Sequence, residues 1–243
     1  MLTVPQSVLA VVDFGEASAR AVALGGLVAQ RCGATTLQVL HTEAGEAPAY
    51  FTHAQIEALE RQQQEMRAQA ERFLAQFGRR HTHHPISTVV NDGSPSEAIL
   101  RGSMTADLVV MGTHGRHGPK RWWLGSVAER VLRDVRRPLL IVRADMPVDA
   151  VFSRVLVHAA SPLAGAATLD YARQLTACFS GEVIDGRHQP IEPAIAAARA
   201  TLLAIAAPVP RTPSWLSDYG EPLVRFCTVP ILFVPEITQG ASS

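Results

Sequence analysis

The stretch from Asp107 to Val142, DLVVMGTHGRHGPKRWWLGSVAERVLRDVRRPLLIV, constrains the chain most. It opens with a short apolar run, Leu108–Met111, bounded by Asp107 and Gly112, and closes with another, Leu139–Val142, announced by Pro138. Runs this short and this apolar read as strands buried on both faces. Between them stand a glycine-punctuated loop and a helical pattern, making a strand–loop–helix–strand unit. Parallel strands need such a crossover, so a parallel sheet is implied.

The loop carries the chemistry. Gly112 and Gly115 stand two residues apart, and after nine more residues come Gly125 and Ser126. Glycine lets backbone N–H groups turn toward a ligand and lets the ligand approach where a Cβ would block it. Ser126 followed by Glu129 has the spacing of a capping box, which starts a helix at about Gly125–Val127. Free N–H groups and the positive end of the helix dipole then face the end of the loop, an arrangement that binds phosphate. His114, Arg116, His117, Lys120 and Arg121 add positive charge. The pattern is neither a P-loop, since no Gly-Lys-Ser/Thr follows, nor the dinucleotide fingerprint.

Upstream, Ser7–Val12 is an apolar run ending at Asp13-Phe14-Gly15, which puts a carboxylate at a strand tip, where open α/β sheets hold ligands. Residues Ala17–Arg31 have helical spacing and stop at Gly33. Thr36–His41 reads as a second strand. A long helix is expected from about His53 to Phe77, with Ile56, Leu59, Met66, Ala70, Phe73 and Phe77 on one stripe and Gly78 as its end. His81, His83 and His84 then fall in a polar loop, where solvation is a simpler reading than a metal site, because no carboxylate or cysteine is close in sequence. Ile86–Val90 is a third strand, and Ser94-Pro95-Ser96-Glu97 starts a helix that runs to Met104. The first 143 residues thus alternate β-α-β-α-β-α-β-α-β, the pattern of a five-stranded doubly wound domain.

The remainder repeats it in worn form. Val155–Ala160 resembles the first strand, Ala166–Cys178 the first helix, Gly181–Ile184 a second strand, Pro190–Ala200 the Pro95 helix and Leu202–Ala206 the Leu108 strand. Val229-Pro230-Ile231-Leu232-Phe233-Val234 stands beside Arg137-Pro138-Leu139-Leu140-Ile141-Val142. The second copy lacks the long helix and one strand. Ala206 replaces Gly112, Ser217-Asp218 replaces Gly125-Ser126, and Pro208, Pro210 and Pro213 occupy the shortened loop. Proline has no N–H to offer a phosphate and Asp218 would repel one, so this half is expected to bind no nucleotide and to pack on the first as a built-in partner.

Net charge is zero, from 22 basic and 22 acidic residues, which argues against a dedicated nucleic-acid or membrane-surface binder. Cys32, Cys178 and Cys227 show no metal-ligand spacing and read as thiols in a reducing compartment. No apolar run approaches the length of a membrane span, and a cytoplasmic protein is expected.

The full signature, Gly112-x2-Gly115-x9-Gly125-Ser126 after an apolar strand, resembles the ATP-binding signature of the universal stress protein family. The resemblance implies an α/β fold with a doubly wound, Rossmann-like five-stranded parallel sheet in the order 3-2-1-4-5. Residues 1–145 would form a complete domain, 150–236 a truncated degenerate copy and 237–243 a tail. Domains of this family commonly pair through their last strands, so Leu139–Val142 and Ile231–Val234 would pair within one chain or each with another chain. Carried onto this sequence, the resemblance places Asp13 at the ribose or adenine side. Val11 and Thr42 would contact the base, and Met111, Gly112 and Gly115 would line the cleft. Gly125, Ser126 and Val127 would hold the phosphates, with His114 and Arg116 beside them. The cofactor would be ATP, with Mg2+ or Mn2+ carried by the phosphates and not by a protein cage.

The residues leave alternatives open. Asp13 can cap the following helix, and Met111 is a core residue with or without adenine. Trp122 and Trp123 suit a contact surface better than base stacking. The leading expectation is an ATP-binding stress-response protein acting as a nucleotide-dependent regulatory or partner-binding switch, with at most slow hydrolysis and no assigned catalytic residue. The alternative is a nucleotide-free dimerising interaction module. An adenine-nucleotide hydrolase or adenylyl-transfer enzyme is disfavoured, because the region after the first strand offers only Gly15.

Overall fold

The computed structural model describes residues 2–43, 53–113, 125–148, 150–159, 165–187 and 189–237, without the side chains of 53–63. The first half alternates β1 (Ser7–Val12), α1 (Glu16–Cys32), β2 (Thr36–Glu43), α2 (His53–His81), β3 (Ser87–Asp92), α3 (Pro95–Ser103), β4 (Leu108–Thr113), α4 (Ser126–Asp134) and β5 (Leu139–Arg143). The second continues with β6 (Arg154–His158), α5 (Ala166–Ala177), β7 (Glu182–Asp185), α6 (Ile191–Ala198) and β8 (Leu202–Val209). It closes with α7 (Pro213–Trp215), a π-helical turn (Leu216–Gly220), α8 (Glu221–Phe226) and β9 (Ile231–Ile237).

All nine strands join one sheet in the order β3-β2-β1-β4-β5-β9-β8-β6-β7. The first five keep the order 3-2-1-4-5 and pair in parallel, as expected for a doubly wound α/β sheet. The last four also pair in parallel, and the two sets meet at an antiparallel β5–β9 contact within the chain. Successive strand residues face opposite sides, so each apolar run feeds two cores at once. Val8, Ala10, Val110 and Leu140 pack with α1 and α5 residues such as Leu24, Val28, Leu169 and Tyr171 on one face. Leu9, Val109, Met111 and Ile141 pack with Ile99, Val131, Leu132 and Val224 on the other.

Three local expectations are corrected. Helix α2 passes through Gly78 and ends at His81, which therefore belongs to the helix, its ring tilted against Phe77 with centroids 4.7 Å apart. The expected stripe is rotated: Met66 and Phe73 are about half exposed at 51% and 52%, whereas Leu74 is fully buried. A glycine facing the sheet is tolerated mid-helix when neighbours fill the space, and here the Ile86 side chain stands where a Cβ would go. Finally, Ser126 is the first helical residue and Gly125 the N-cap, with no side-chain cap bond, so the expected Ser126–Glu129 capping box does not form. Helix α1 does end as expected, at Gly33 in the left-handed region (φ 70°), with its N–H on the Ala29 carbonyl.

Arginines from opposite halves cross the seam. Arg211 is 5% exposed, and its Nη1 donates to the Leu132 and Val135 carbonyls at 2.6 and 2.7 Å. These are the orphan carbonyls at the C-terminal end of α4, where a cation also meets the negative end of the helix dipole. Burial lowers the guanidinium pKa to about 10, still far above neutral pH. In the other direction Arg143, on β5, donates Nη1 to the Cys227 carbonyl at 2.7 Å, at the end of α8. Replacing Arg211 with Ala is expected to lower unfolding stability in urea by about 3 kcal/mol, since two buried carbonyls lose a charged donor. A loss below about 1 kcal/mol would show that the arginine does not hold the seam.

Candidate functional site

A cleft of about 710 Å³ opens over the C-terminal tips of β1 and β4. Its walls come from α3, through Pro95 and Ile99, and from the first turn of α4, through Gly125–Glu129. The floor is Val11, Val12, Asp13, Met111, Gly112 and Thr113. Ligands of open α/β sheets sit at this end, where the strand order reverses between β1 and β4.

The strand tip is shaped by Phe14, a non-glycine residue in the left-handed region (φ 62°). That turn lets the Phe14 ring pack 4.4 Å from His41 and 4.8 Å from Phe73, on the α2 side of the sheet. Asp13 is left exposed at the cleft, with Oδ1 accepting the Gly15 N–H at 3.0 Å. His41 also lines the cleft, its Nδ1 held 2.8 Å from the Val12 carbonyl.

Gly112 sets the depth. A Cβ on it would lie 2.4 Å from the Ala17 carbonyl carbon and 2.6 Å from the Ser18 backbone nitrogen. The strand therefore runs against the first turn of α1 with no room for any other residue. On the opposite wall, Glu129 donates the first intrahelical bond of α4, back to Gly125 at 2.9 Å. Among the described residues, the preceding N–H groups of the first turn have no intrahelical partner and no side-chain cap. Thr113 adds a buried hydroxyl, and its Oγ1 has no hydrogen-bond partner among the described residues. Free N–H groups with the positive helix end, beside an unpaired hydroxyl, can hold an anion. The apolar side, Val11, Ile99 and Met111, can take a flat ring.

Of the residues singled out from the sequence, Val11, Asp13, Thr42, Met111, Gly112, Gly125, Ser126 and Val127 all line this cleft. His114, Gly115 and Arg116 lie outside the described residues, as do His117, Lys120, Arg121, Trp122 and Trp123. Val12, Ser18, His41, Pro95, Ile99, Thr113, Ala128 and Glu129 also line it. Pro95 and Ile99 sit on an element read only as a helix start, and nothing in their spacing shows that α3 leans over β1. Thr113, adjacent to Gly112, was within reach of the sequence as a hydroxyl at the strand tip. Among the described residues no three His, Cys, Asp or Glu side chains are grouped to hold a metal ion, and no helix is long and apolar enough to cross a membrane.

Comparisons with known proteins bear on the family and the fold. The family model described as "Universal stress protein family" matches residues 5–143. A universal stress protein of Mycobacterium tuberculosis is 37% identical over 81 residues, 33% of this chain and 28% of the relative. One of Methanocaldococcus jannaschii is 43% identical over 60 residues, 24% of this chain and 35% of the relative. The chain thus spans about a third or less of the length of these curated relatives in the matched region. The crystal structure of a universal stress protein from Archaeoglobus fulgidus is similar over 95% of this chain and 98% of its own, with TM-score 0.70 and 20% identity. The match over residues 5–143 covers more than half of the chain, and the chain belongs to the universal stress protein family.

Proposed function

We propose that the cleft binds an adenine nucleotide, ATP first, and that its occupancy acts as a regulatory or partner-binding switch. The observation that carries this reading is the convergence on one cleft of the uncapped α4 N-terminus, the unpaired Thr113 hydroxyl and an apolar wall. Phosphates suit the N–H groups of Gly125, Ser126 and Val127, and the proposal adds the positive charge that His114 and Arg116 carry in the sequence. The base suits Val11, Ile99, Met111 and Thr42, and the ribose hydroxyls suit the acceptor oxygens of Asp13. A divalent ion, Mg2+ or Mn2+, arrives with the phosphates.

The fold offers binding more readily than turnover. Phosphoryl transfer needs an oriented water and metal-held phosphates, whereas Asp13 already accepts the Gly15 N–H at the sugar side. Hydrolysis, if measured, is therefore expected to be slow. A switch requires two states with different affinity for the nucleotide. The second half, in this reading, is a built-in partner that binds no nucleotide.

Calorimetric titration with ATP, with and without Mg2+, is the test. Wild type is expected to bind, and Gly115→Val to lose at least about tenfold in affinity while keeping its unfolding midpoint. No binding of any adenine nucleotide by wild type would overturn the proposal in favour of a nucleotide-free dimerising module. Gly112→Ala separates the floor from the loop. Its methyl has to displace backbone of α1, so stability should fall by about 1–3 kcal/mol and ATP affinity should fall with it. An unchanged midpoint would mean that α1 does not bear on β4 as tightly as described.

A further inference from the structure

The second half has a cleft of its own, and its chemistry is opposite to the first. About 740 Å³ in volume, it opens over the tip of β6 at His158, between α6 and the π-helical turn leading into α8. Apolar groups dominate its walls: Ile191, Ile195 and Pro193 from one side, Pro222, Leu223 and Phe226 from the other. Among the described lining residues there is no lysine or arginine, and the two carboxylates are Glu192 and Asp218. Neither carboxylate is engaged in an ion pair among the described residues. Arg143, which bonds the Cys227 carbonyl nearby, is committed to Asp145 at 3.0 Å.

Two buried polar atoms in this cleft want partners. His158 Nδ1 and the Tyr219 hydroxyl are both shielded from solvent and have no hydrogen-bond partner among the described residues. Their rings lie nearly parallel, 27° apart, with centroids 6.2 Å from each other. Tyr219 is carried on the π-helical turn, an irregularity that proteins place frequently at functional sites. Burial lowers the His158 pKa, with the backbone of Gly186 and Gln189 acting the other way.

The first turn of α6, at the cleft, brings its own carboxylate in Glu192. The N-terminus of α5 at Gly165, outside the cleft lining, is filled by Glu236 of β9. Its carboxylate accepts the Gly165 N–H at 2.6 and 2.8 Å and the Thr168 hydroxyl at 3.0 Å. The cleft itself carries negative charge at its walls.

We propose that this cleft is a second ligand site, which takes a small aromatic or aliphatic organic cation. The apolar body lies against Ile191, Ile195 and Leu223. The cationic head meets Glu192 and Asp218, with the Tyr219 ring beside it, while the Phe226 ring is faced by Arg225. The site is independent of the nucleotide cleft.

The test is a titration of the full chain with 1-naphthylmethylamine, cationic at pH 7, and with 1-naphthoate, its anionic counterpart, followed by ligand-observed NMR and calorimetry. The amine is expected to bind at least about tenfold more tightly than the carboxylate. Ile195→Trp, which fills the cleft, should abolish binding, and Glu192→Gln should weaken the amine by about fivefold without altering the unfolding midpoint. Saturating ATP should leave amine binding unchanged. The proposal is overturned by no amine binding at millimolar concentration, by equal binding of the two probes, by indifference to both substitutions, or by displacement of the amine with ATP.

Discussion

Three backbone pairs hold the halves in one sheet: Leu139 with Phe233, Leu140 with Leu232 and Ile141 with Ile231. Everything else about the molecule depends on this short antiparallel seam. Without it β5 and β9 would each present a row of unpaired N–H and C=O groups at an apolar sheet edge, a template for pairing with another chain. With it, Leu139, Leu140, Leu232 and Phe233 are fully buried and both cores run continuously from α1 and α3 to α5 and α8. Seam geometry is locked by side chains as well as by ladder bonds. Arg211 and Arg143 each satisfy carbonyls of the other half's terminal helix.

The two halves use one frame for two electrostatic solutions. In the first, the N-terminus of α4 is left uncapped and a glycine brings β4 against α1, so a deep, donor-rich cleft results. In the second, the equivalent space beside α8 is lined with carboxylates and prolines, and a carboxylate from β9 covers the N-terminus of α5. Glu236 reaches it from β9, whose partner residue on β8 is Pro208. Because the β5–β9 seam is antiparallel, the two clefts open at opposite ends of the sheet, and they differ in the few side chains that line them.

Much of this was legible in the chain itself. Short, strongly apolar runs such as Val8–Val12 and Leu108–Met111 have no other economical fate than buried parallel strands, and every strand of the first half lies where its run predicts to within two residues. The glycine signature located the cleft floor because Gly112 is required by a steric contact that no other residue survives. What failed to show was anything decided by orientation between elements. Which face of α2 meets the sheet is set by tertiary packing, so Leu74 is buried while Met66 and Phe73 face outward, and packing of Gly78 on Ile86 lets the helix continue to His81. Ser126 was taken as a cap by spacing, but the backbone at Gly125 turns one residue earlier. Neither Arg211 nor Glu236 carries a local signal, because their partners lie 76 and 71 residues away.

Helix α4 stands between these features in an unusual way. Its first turn borders the cleft, while the Leu132 and Val135 carbonyls at its other end are tied to Arg211 of the second half. At nine residues it is a rigid rod of about 13.5 Å. The α1 wall cannot yield, since Gly112 already stands against its backbone. In mechanical terms α4 is a strut, with one end bordering the cleft and the other tied to an arginine of the second half.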